Sequence, residues 1–210
     1  MRRLGILLSG RGSNFEAIAR AIASGKLEAD IAVVISNRAS ARGLQIARSS
    51  GLPAVAIPSQ GLERETYDGM LIEELHKHDV ELVCLAGFMR LLSARFVEAF
   101  PQRILNIHPS LLPAFPGLDA QHQALQHGVK IAGCTVHLVD EFLDSGPIIL
   151  QAAVPVLDDD TVESLSARIL VEEHRCYSQA IAIILSGNYQ VIGRKFVRTI
   201  PPAEPRARLG

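Results

Sequence analysis

The fold is decided by the stretch Leu4-Gly5-Ile6-Leu7-Leu8-Ser9-Gly10-Arg11-Gly12-Ser13-Asn14, an apolar run that ends in a glycine-rich turn. Residues 13–24 then follow with the apolar spacing of an amphipathic helix. A strand, a tight turn and a helix in this order begin a βαβ unit, so this stretch predicts a parallel sheet.

The same alternation continues along the next hundred residues. Predicted strands at 31–36, 54–57, 80–86 and 103–108 alternate with predicted helices at 41–50, 62–77 and 93–100. The strands are continuous apolar runs, which is typical of strands that helices cover on both faces. We therefore predict an α/β fold with a doubly wound, mostly parallel sheet.

The pattern changes after His108. A proline-rich loop, a helix at 120–127 and strands at 132–139 and 148–156 predict an antiparallel addition in the carboxyl-terminal third. A long helix follows, with Asp159, Asp160 or Thr161 as its N-cap and Gly187 at its end, and a last strand is predicted at 190–198. We expect residues 1–200 to form one domain and residues 201–210 to be a disordered tail.

Composition favours a small-molecule partner. The 210 residues are 48% hydrophobic and 20% charged, and the formal net charge is -1. These are the proportions of a globular protein, and no basic run favours a nucleic acid or a membrane surface. Cys84, Cys134 and Cys176 belong to no CxxC pair, which is typical of reduced thiols. With no signal-peptide pattern or spanning segment in view, we expect a cytoplasmic protein.

The turn at residues 9–14 is suited to binding an anion, because free backbone N–H groups at the start of a helix attract phosphate. Phe15 stands where a dinucleotide fingerprint needs its third glycine, which argues against NAD. A purely structural turn, with Ser13 or Asn14 capping the helix, explains the same residues about equally well.

Asn106 and His108 are the strongest candidates for chemistry. Residues two apart on a strand point to the same face, and this strand ends where open α/β sheets bind their ligands. Pro109 keeps His108 extended at the mouth of the loop. An amide donor beside an imidazole suits acyl transfer, in which an oxyanion develops and a proton moves. The alternative is a structural pair that the loop backbone satisfies.

Asp140, Glu141 and Asp144 form an acidic loop between two predicted strands. Their spacing fits neither an EF-hand nor a dinuclear metal centre, and a solvated loop is the simpler alternative. The histidine pairs at positions 76 and 78 and at positions 122 and 127 also lack zinc-binding spacing. The sequence therefore predicts no metal site.

Five segments together resemble the phosphoribosylglycinamide formyltransferases of purine synthesis, which use 10-formyltetrahydrofolate. The resemblance extends to about Tyr189, and it is carried by Ser9-Gly10-Arg11-Gly12-Ser13-Asn14, Leu85-Ala86-Gly87-Phe88-Met89-Arg90-Leu91-Leu92-Ser93, Asn106-Ile107-His108-Pro109-Ser110-Leu111-Leu112-Pro113, Asp144-Ser145-Gly146-Pro147 and Glu173-His174. It implies a Rossmann-like formyltransferase fold.

The resemblance also implies roles for individual residues. Asn106 and His108 stabilise and protonate a tetrahedral intermediate, and Asp144 supports His108. The substrate phosphate lies against Gly12, Ser13 and Asn14, and Glu173 holds the ribose. The implied folate-binding residues are Arg64, Met89, Arg90, Leu91, Leu92, Asn106, Asp140, Glu141, Phe142 and Leu143.

The implied reaction passes the formyl group of 10-formyltetrahydrofolate to the amine of glycinamide ribonucleotide, without a metal, in a monomer or homodimer. Asp119 and Leu170 depart from residues found in several relatives, and no substrate contact is carried over to them. Three alternatives are a formyltetrahydrofolate deformylase, a methionyl-tRNA formyltransferase and a non-catalytic nucleotide-binding module. We expect the first two to carry an additional domain, and the third has no need for Asn106, His108 and Asp144 together.

Overall fold

A nine-stranded sheet organises residues 2–199, which are the residues that the computed structural model describes. The order of the strands in the sheet is β3-β2-β1-β4-β5-β6-β7-β9-β8. Their bounds are β1 (Arg2–Leu8), β2 (Ala29–Ser36), β3 (Ala54–Ala56), β4 (Leu82–Leu85), β5 (Ile104–His108), β6 (Ile131–Leu138), β7 (Ile148–Pro155), β8 (Tyr189–Ile192) and β9 (Lys195–Arg198). The tail predicted at 201–210 lies outside the described residues.

Strand directions confirm the predicted class of fold. Strands β1 to β5 pair in parallel, whereas β6 is antiparallel to both β5 and β7. The carboxyl ends of β1, β4 and β5 therefore meet at one edge of the sheet. The glycine-rich turn, the segment after β4 and the loop after His108 begin at this edge, whereas the loop that carries Asp144 follows β6 and begins at the opposite edge.

Helices cover both faces of the sheet, as the apolar strands predict. Phe15, Leu44 and Ile169 share a buried layer on one face, and Tyr67 and Phe96 are buried in a second layer. The helices are α1 (Ser13–Ala23), α2 (Arg42–Ser49), α3 (Arg64–Lys77), α4 (Ala94–Ala99), α5 (Ala120–Gln126) and α6 (Val162–Ser186). Among residues 2–199, no helix is both long and apolar enough to cross a membrane.

Thr161, one of the three predicted candidates, is the N-cap of α6, since its side chain accepts the backbone N–H of Ser164 at 3.3 Å. The chain that follows α6 differs from the prediction. The single strand predicted at 190–198 is wrong, because the chain reverses there and forms the β8–β9 hairpin. Gly193, with φ 60°, allows the reversal, and Tyr189 stacks on Phe196 across the two strands at 4.8 Å.

Candidate active site

Three predicted catalytic residues lie together although two separate motifs supply them. Asn106 and His108 project from β5, and the loop between β6 and β7 folds back to bring Asp144 to both. The Oδ2 atom of Asp144 lies 3.3 Å from Nδ1 of His108, and its Oδ1 atom accepts a hydrogen bond from Nδ2 of Asn106 at 3.4 Å. His108 is 5% exposed, so this cluster is largely screened from solvent.

Both ring nitrogens of His108 face hydrogen-bond acceptors. Its Nε2 atom lies 2.9 Å from the carbonyl oxygen of Phe115, and its Nδ1 atom faces Asp144. A carbonyl and a carboxylate both accept hydrogen bonds, so only the imidazolium satisfies both partners. The cluster therefore has room for two hydrogen bonds from His108 beside the amide group of Asn106.

His137 also belongs to this cluster, and sequence reasoning missed it. It pairs with Asn106 across β5 and β6. Its Nδ1 atom donates to the carbonyl of Leu138 at 2.8 Å, which leaves Nε2 as the acceptor for Nδ2 of Asn106 at 3.2 Å. Burial lowers the pKa of His137, so the ring stays neutral and its 3.8 Å approach to Asp144 is not an ion pair. Only the strand register could have identified this residue.

The two N–H groups of the Asn106 amide have different partners. One faces the neutral His137 ring at 3.2 Å, and the other faces Asp144 at 3.4 Å. The longer of these hydrogen bonds is the weaker one. The N–H group that faces Asp144 is thus the one that can donate to an oxyanion, while the hydrogen bond to His137 still orients the amide.

The first turn begins helix α1 at a glycine rather than at a polar capping residue. Gly12 is the N-cap of α1 with φ 84°, and within the described residues no side chain caps the helix. Asn14 instead donates from Nδ2 to Oε2 of Glu173 at 2.8 Å. The capping role considered for Ser13 or Asn14 is therefore wrong, and the turn retains the features of an anion site.

Glu173 links this turn to the catalytic cluster. It is 7% exposed, and burial raises the pKa of its carboxyl group, while the Asn14 hydrogen bond and the nearby His108 lower it. The Oδ1 atom of Asn14 is buried without a hydrogen-bond partner among residues 2–199. The turn thus has two buried polar side chains beside it, and one acceptor atom, Oδ1 of Asn14, lacks a partner in the described residues.

Two arginines that the prediction did not include border the same turn. Arg11 and Arg38 line a cleft of about 330 Å³ together with residues 9–14 and residues 86, 87 and 89. Arg11 stands inside the glycine-rich motif and was visible in the sequence, whereas Arg38 follows β2 and reaches the cleft only through the sheet order. Their positive charge adds to the attraction for phosphate.

The predicted folate segment follows β4. The side chains of Met89 and Leu91 are exposed, whereas Leu92 is buried. The guanidinium of Arg90 lies 4.8 Å from the centre of the Tyr67 ring, and burial raises the pKa of Tyr67 to about 12. Arg64 is exposed at the start of α3, one helical turn before Tyr67.

Asp68 and Ser9 hold this segment in place, and neither was predicted. Asp68 accepts the backbone N–H of Ser93 at 2.6 Å from a buried position on α3. The hydroxyl of Ser9 accepts the backbone N–H of Met89 at 2.9 Å. The predicted folate segment is therefore held by hydrogen bonds at both of its ends, Met89 and Ser93.

The acidic loop supplies the remaining predicted folate residues. Phe142, Leu143 and Glu141 are exposed, and Asp140 accepts the backbone N–H of Phe142 at 3.0 Å. Exposed apolar side chains are thus presented by both predicted folate segments, and Nε of Arg90 is buried without a partner in the described part of the chain. These residues fit a flat ring system joined to a carboxylate.

The two departures stay outside the catalytic cluster. Asp119 is exposed at the N-cap of α5 with φ 56°, and Leu170 is half-buried on α6. Nothing in the structure explains either residue. Residues 2–199 contain no group of three or more His, Cys, Asp or Glu side chains arranged to hold a metal ion.

Known proteins are similar to this chain in sequence. A family described as "Formyl transferase" matches residues 2–181. The trifunctional purine biosynthetic protein adenosine-3 of Drosophila melanogaster is 48% identical over 190 residues, which are 89% of this chain and only 14% of that relative. The phosphoribosylglycinamide formyltransferase of Bacillus subtilis is 41% identical over 189 residues, which are 90% of this chain and 97% of that protein.

Solved structures of related proteins are similar to this chain in fold. Glycinamide ribonucleotide transformylase 1 from Symbiobacterium toebii has a TM-score of 0.93 and 53% identity, with 95% of each chain covered. A formyltetrahydrofolate deformylase from Pseudomonas syringae has a TM-score of 0.88 and 28% identity over 95% of this chain and 66% of that one. The match over residues 2–181, together with these likenesses and the Asn106, His108 and Asp144 cluster, shows that the chain belongs to the formyl transferase family.

Proposed function

We propose that this protein transfers the formyl group of 10-formyltetrahydrofolate to the amine of glycinamide ribonucleotide, giving formylglycinamide ribonucleotide and tetrahydrofolate. The observation that carries the proposal is the juxtaposition of the catalytic cluster and the anion-binding turn. Glu173 accepts a hydrogen bond from Asn14 of that turn, and the nearby His108 lowers the pKa of Glu173. A phosphorylated amine bound at the turn thereby has its reacting end near Asn106 and His108.

The residues support an addition–elimination mechanism. The neutral amine attacks the formyl carbon, a carbon–nitrogen bond forms, and negative charge moves onto the formyl oxygen. The N–H of Asn106 and the His108 imidazolium stabilise that charge. The amine then loses a proton, the donor nitrogen of the folate gains one, and the bond between that nitrogen and the formyl carbon breaks. Asp144 keeps His108 charged and oriented throughout.

The residues assigned to each ligand lie around the glycine-rich turn and in the two predicted folate segments. We assign Gly12, Ser13 and Asn14 to the phosphate and Glu173 to the ribose. The formyl folate is assigned to Arg64, Met89, Arg90, Leu91, Leu92, Asn106, Asp140, Glu141, Phe142 and Leu143. Support comes from the exposed apolar side chains and the buried, unpartnered Nε of Arg90.

We infer a cytoplasmic enzyme whose partners are these two small molecules, acting as a monomer or homodimer. Residues 1–200 are proposed to form one domain. The continuous sheet through the described residues supports this division of the chain.

A single assay tests the proposed reaction. Purified protein is mixed with 10-formyltetrahydrofolate, with or without glycinamide ribonucleotide, and folate absorbance is followed. We expect turnover only when the amine is present. Turnover without the amine would identify a hydrolase, the activity named for the Pseudomonas syringae relative. If neither mixture turns over, a binding module replaces both enzymatic proposals.

A further inference from the structure

The β8–β9 hairpin lies beyond residues 2–181, the part of the chain that matches the family. It is nonetheless joined to the sheet, because Lys195 pairs with Ile148 at the start of β7. This pairing brings the hairpin turn against the loop that carries Asp144. A cleft of about 530 Å³ separates the hairpin from that loop and from Leu112 and Pro113.

Arg194 spans from the hairpin turn to the loop. Its Nη1 atom donates to the hydroxyl of Ser145 at 3.2 Å, and its Nη2 atom donates to the Ser145 carbonyl oxygen at 2.5 Å. The Ser145 hydroxyl in turn donates to Oδ2 of Asp140 at 3.4 Å. One guanidinium therefore holds both the backbone and the side chain of the residue that follows Asp144.

The loop needs such an anchor because its backbone is strained. Asp144 has φ 47°, in the left-handed region that L residues rarely adopt. Two residues later the backbone is so close to β6 that a Cβ on Gly146 would lie 1.8 Å from the carbonyl oxygen of Leu138. Gly146 fixes the loop on the β6 side, and Arg194 fixes it on the hairpin side.

We propose that Arg194 is a positioning residue for the reaction, acting through Ser145 to hold Asp144 against His108. This inference rests on the proposed function. Asp144 makes three contacts, with His108, Asn106 and the N–H of Gly117, the last at 2.8 Å. A small displacement of a positioned catalytic group is enough to lower turnover strongly.

The test compares Arg194→Met with Arg194→Lys and with Lys195→Met, which removes the neighbouring charge from the same hairpin. We expect Arg194→Met to lower kcat about tenfold. The basic limb of its pH–rate profile should move to lower pH, because Asp144 no longer supports the imidazolium. Arg194→Lys should recover part of the rate, and Lys195→Met should resemble the parent protein. Binding of the ribonucleotide without folate should be unchanged in all three.

Hydrogen exchange of residues 140–146 gives a readout that does not depend on activity. Exchange should accelerate in Arg194→Met and not in Lys195→Met. Unchanged exchange, an unchanged kcat and pH profile, or equal effects of the two methionine variants would overturn the inference. If the parent protein shows no amine-dependent turnover, the proposed function fails, while the exchange data still decide whether Arg194 anchors the loop.

Discussion

Asp144 joins separate parts of the chain through one carboxylate. Oδ2 receives the backbone N–H of Gly117 at 2.8 Å and faces the His108 ring, while Oδ1 receives the amide of Asn106. Because the two oxygens of a carboxylate can accept several hydrogen bonds at once, this residue organises the donors around it. Each member of the cluster therefore contributes to the position of the others, and single substitutions should have large effects on turnover.

Asp144→Asn tests the charge of this carboxylate while keeping its shape. A model α-amino group is neutral only above a pKa of about 7.7–8.0, so transfer needs the imidazolium of His108 to persist near that pH. A neighbouring carboxylate favours the imidazolium. We expect kcat to fall by about a hundredfold near pH 7 and the basic limb of the pH–rate profile to move to lower pH.

Asp140→Asn is the matched control for that measurement. Asp140 contacts the backbone of Phe142 and the hydroxyl of Ser145 and belongs to the same loop. The Asp140→Asn variant should have a higher KM for the folate and a nearly unchanged pH–rate profile. An Asp144→Asn protein with the parent rate and profile would contradict the proposed pairing with His108.

Asn106→Ala tests the oxyanion donor. Loss of one such donor lowers turnover on the order of a hundredfold or more. The substitution also removes the hydrogen-bond donor to Nε2 of His137. The Tm of the variant should therefore be measured alongside its kinetics. We expect the folded state to persist and folate affinity to fall far less than turnover. Near-normal turnover would show that Asn106 is a structural residue.

At the scale of elements, the β1–α1 turn depends on contact with α2. Gly12 has φ 84°, and a Cβ on it would lie 2.8 Å from the Cα of Gly43. The backbone N–H of Gly43 also donates to the carbonyl of Gly10 at 3.0 Å. The small residues of the motif thus bring two helices together in addition to leaving room for an anion.

Gly12→Ala should destabilise the protein regardless of ligand. A non-glycine residue at this φ costs about 1–3 kcal/mol, and the close approach to Gly43 adds to that. Urea unfolding measures the change. Gly10→Ala is the control, since a Cβ there has no atom within 4 Å. Equal stability of the two variants would contradict this account of the turn.

At the scale of the whole molecule, ligand binding and stability place opposite demands on Glu173. Its carboxyl group is buried against Asn14, and burial raises its pKa. A group whose pKa is higher in the folded state favours folding while it is protonated, and that contribution is lost as pH rises through the raised pKa. Ionisation of this buried carboxyl group therefore lowers the stability of the fold, and we propose that the residue serves ribose binding instead.

Glu173→Gln should raise the Tm at pH 7 and have little effect near pH 4. The glutamine oxygen can still accept from Asn14, so the fold is kept. Affinity for the ribonucleotide should fall roughly tenfold to a hundredfold, the scale for losing a charged hydrogen bond. Glu172→Gln, on the same helix, is the control. A Glu173→Gln protein with lower Tm at pH 7 would show that the carboxylate stabilises the fold.

The sequence by itself determined the doubly wound sheet and the helices on both faces, because hydrophobic periodicity and turn residues act locally. It also located the two motifs that we propose to be catalytic. The β8–β9 hairpin was missed because a two-residue reversal at Gly193 hardly interrupts an apolar pattern. Arg64, Glu141 and the exposed folate residues were named through the resemblance, and their roles stay predictions.

Only the tertiary structure decided which side chains meet. The register of β5 against β6 places His137 beside Asn106, and the return of the β6–β7 loop places Asp144 beside His108. Sheet order brings Arg38 to the first turn, and the docking of β9 on β7 brings Arg194 to Ser145. Asn106 and His137 are 31 positions apart in the sequence, and Ser145 and Arg194 are 49 positions apart. No local pattern encodes them, because strand register and packing are set by the burial of the whole core.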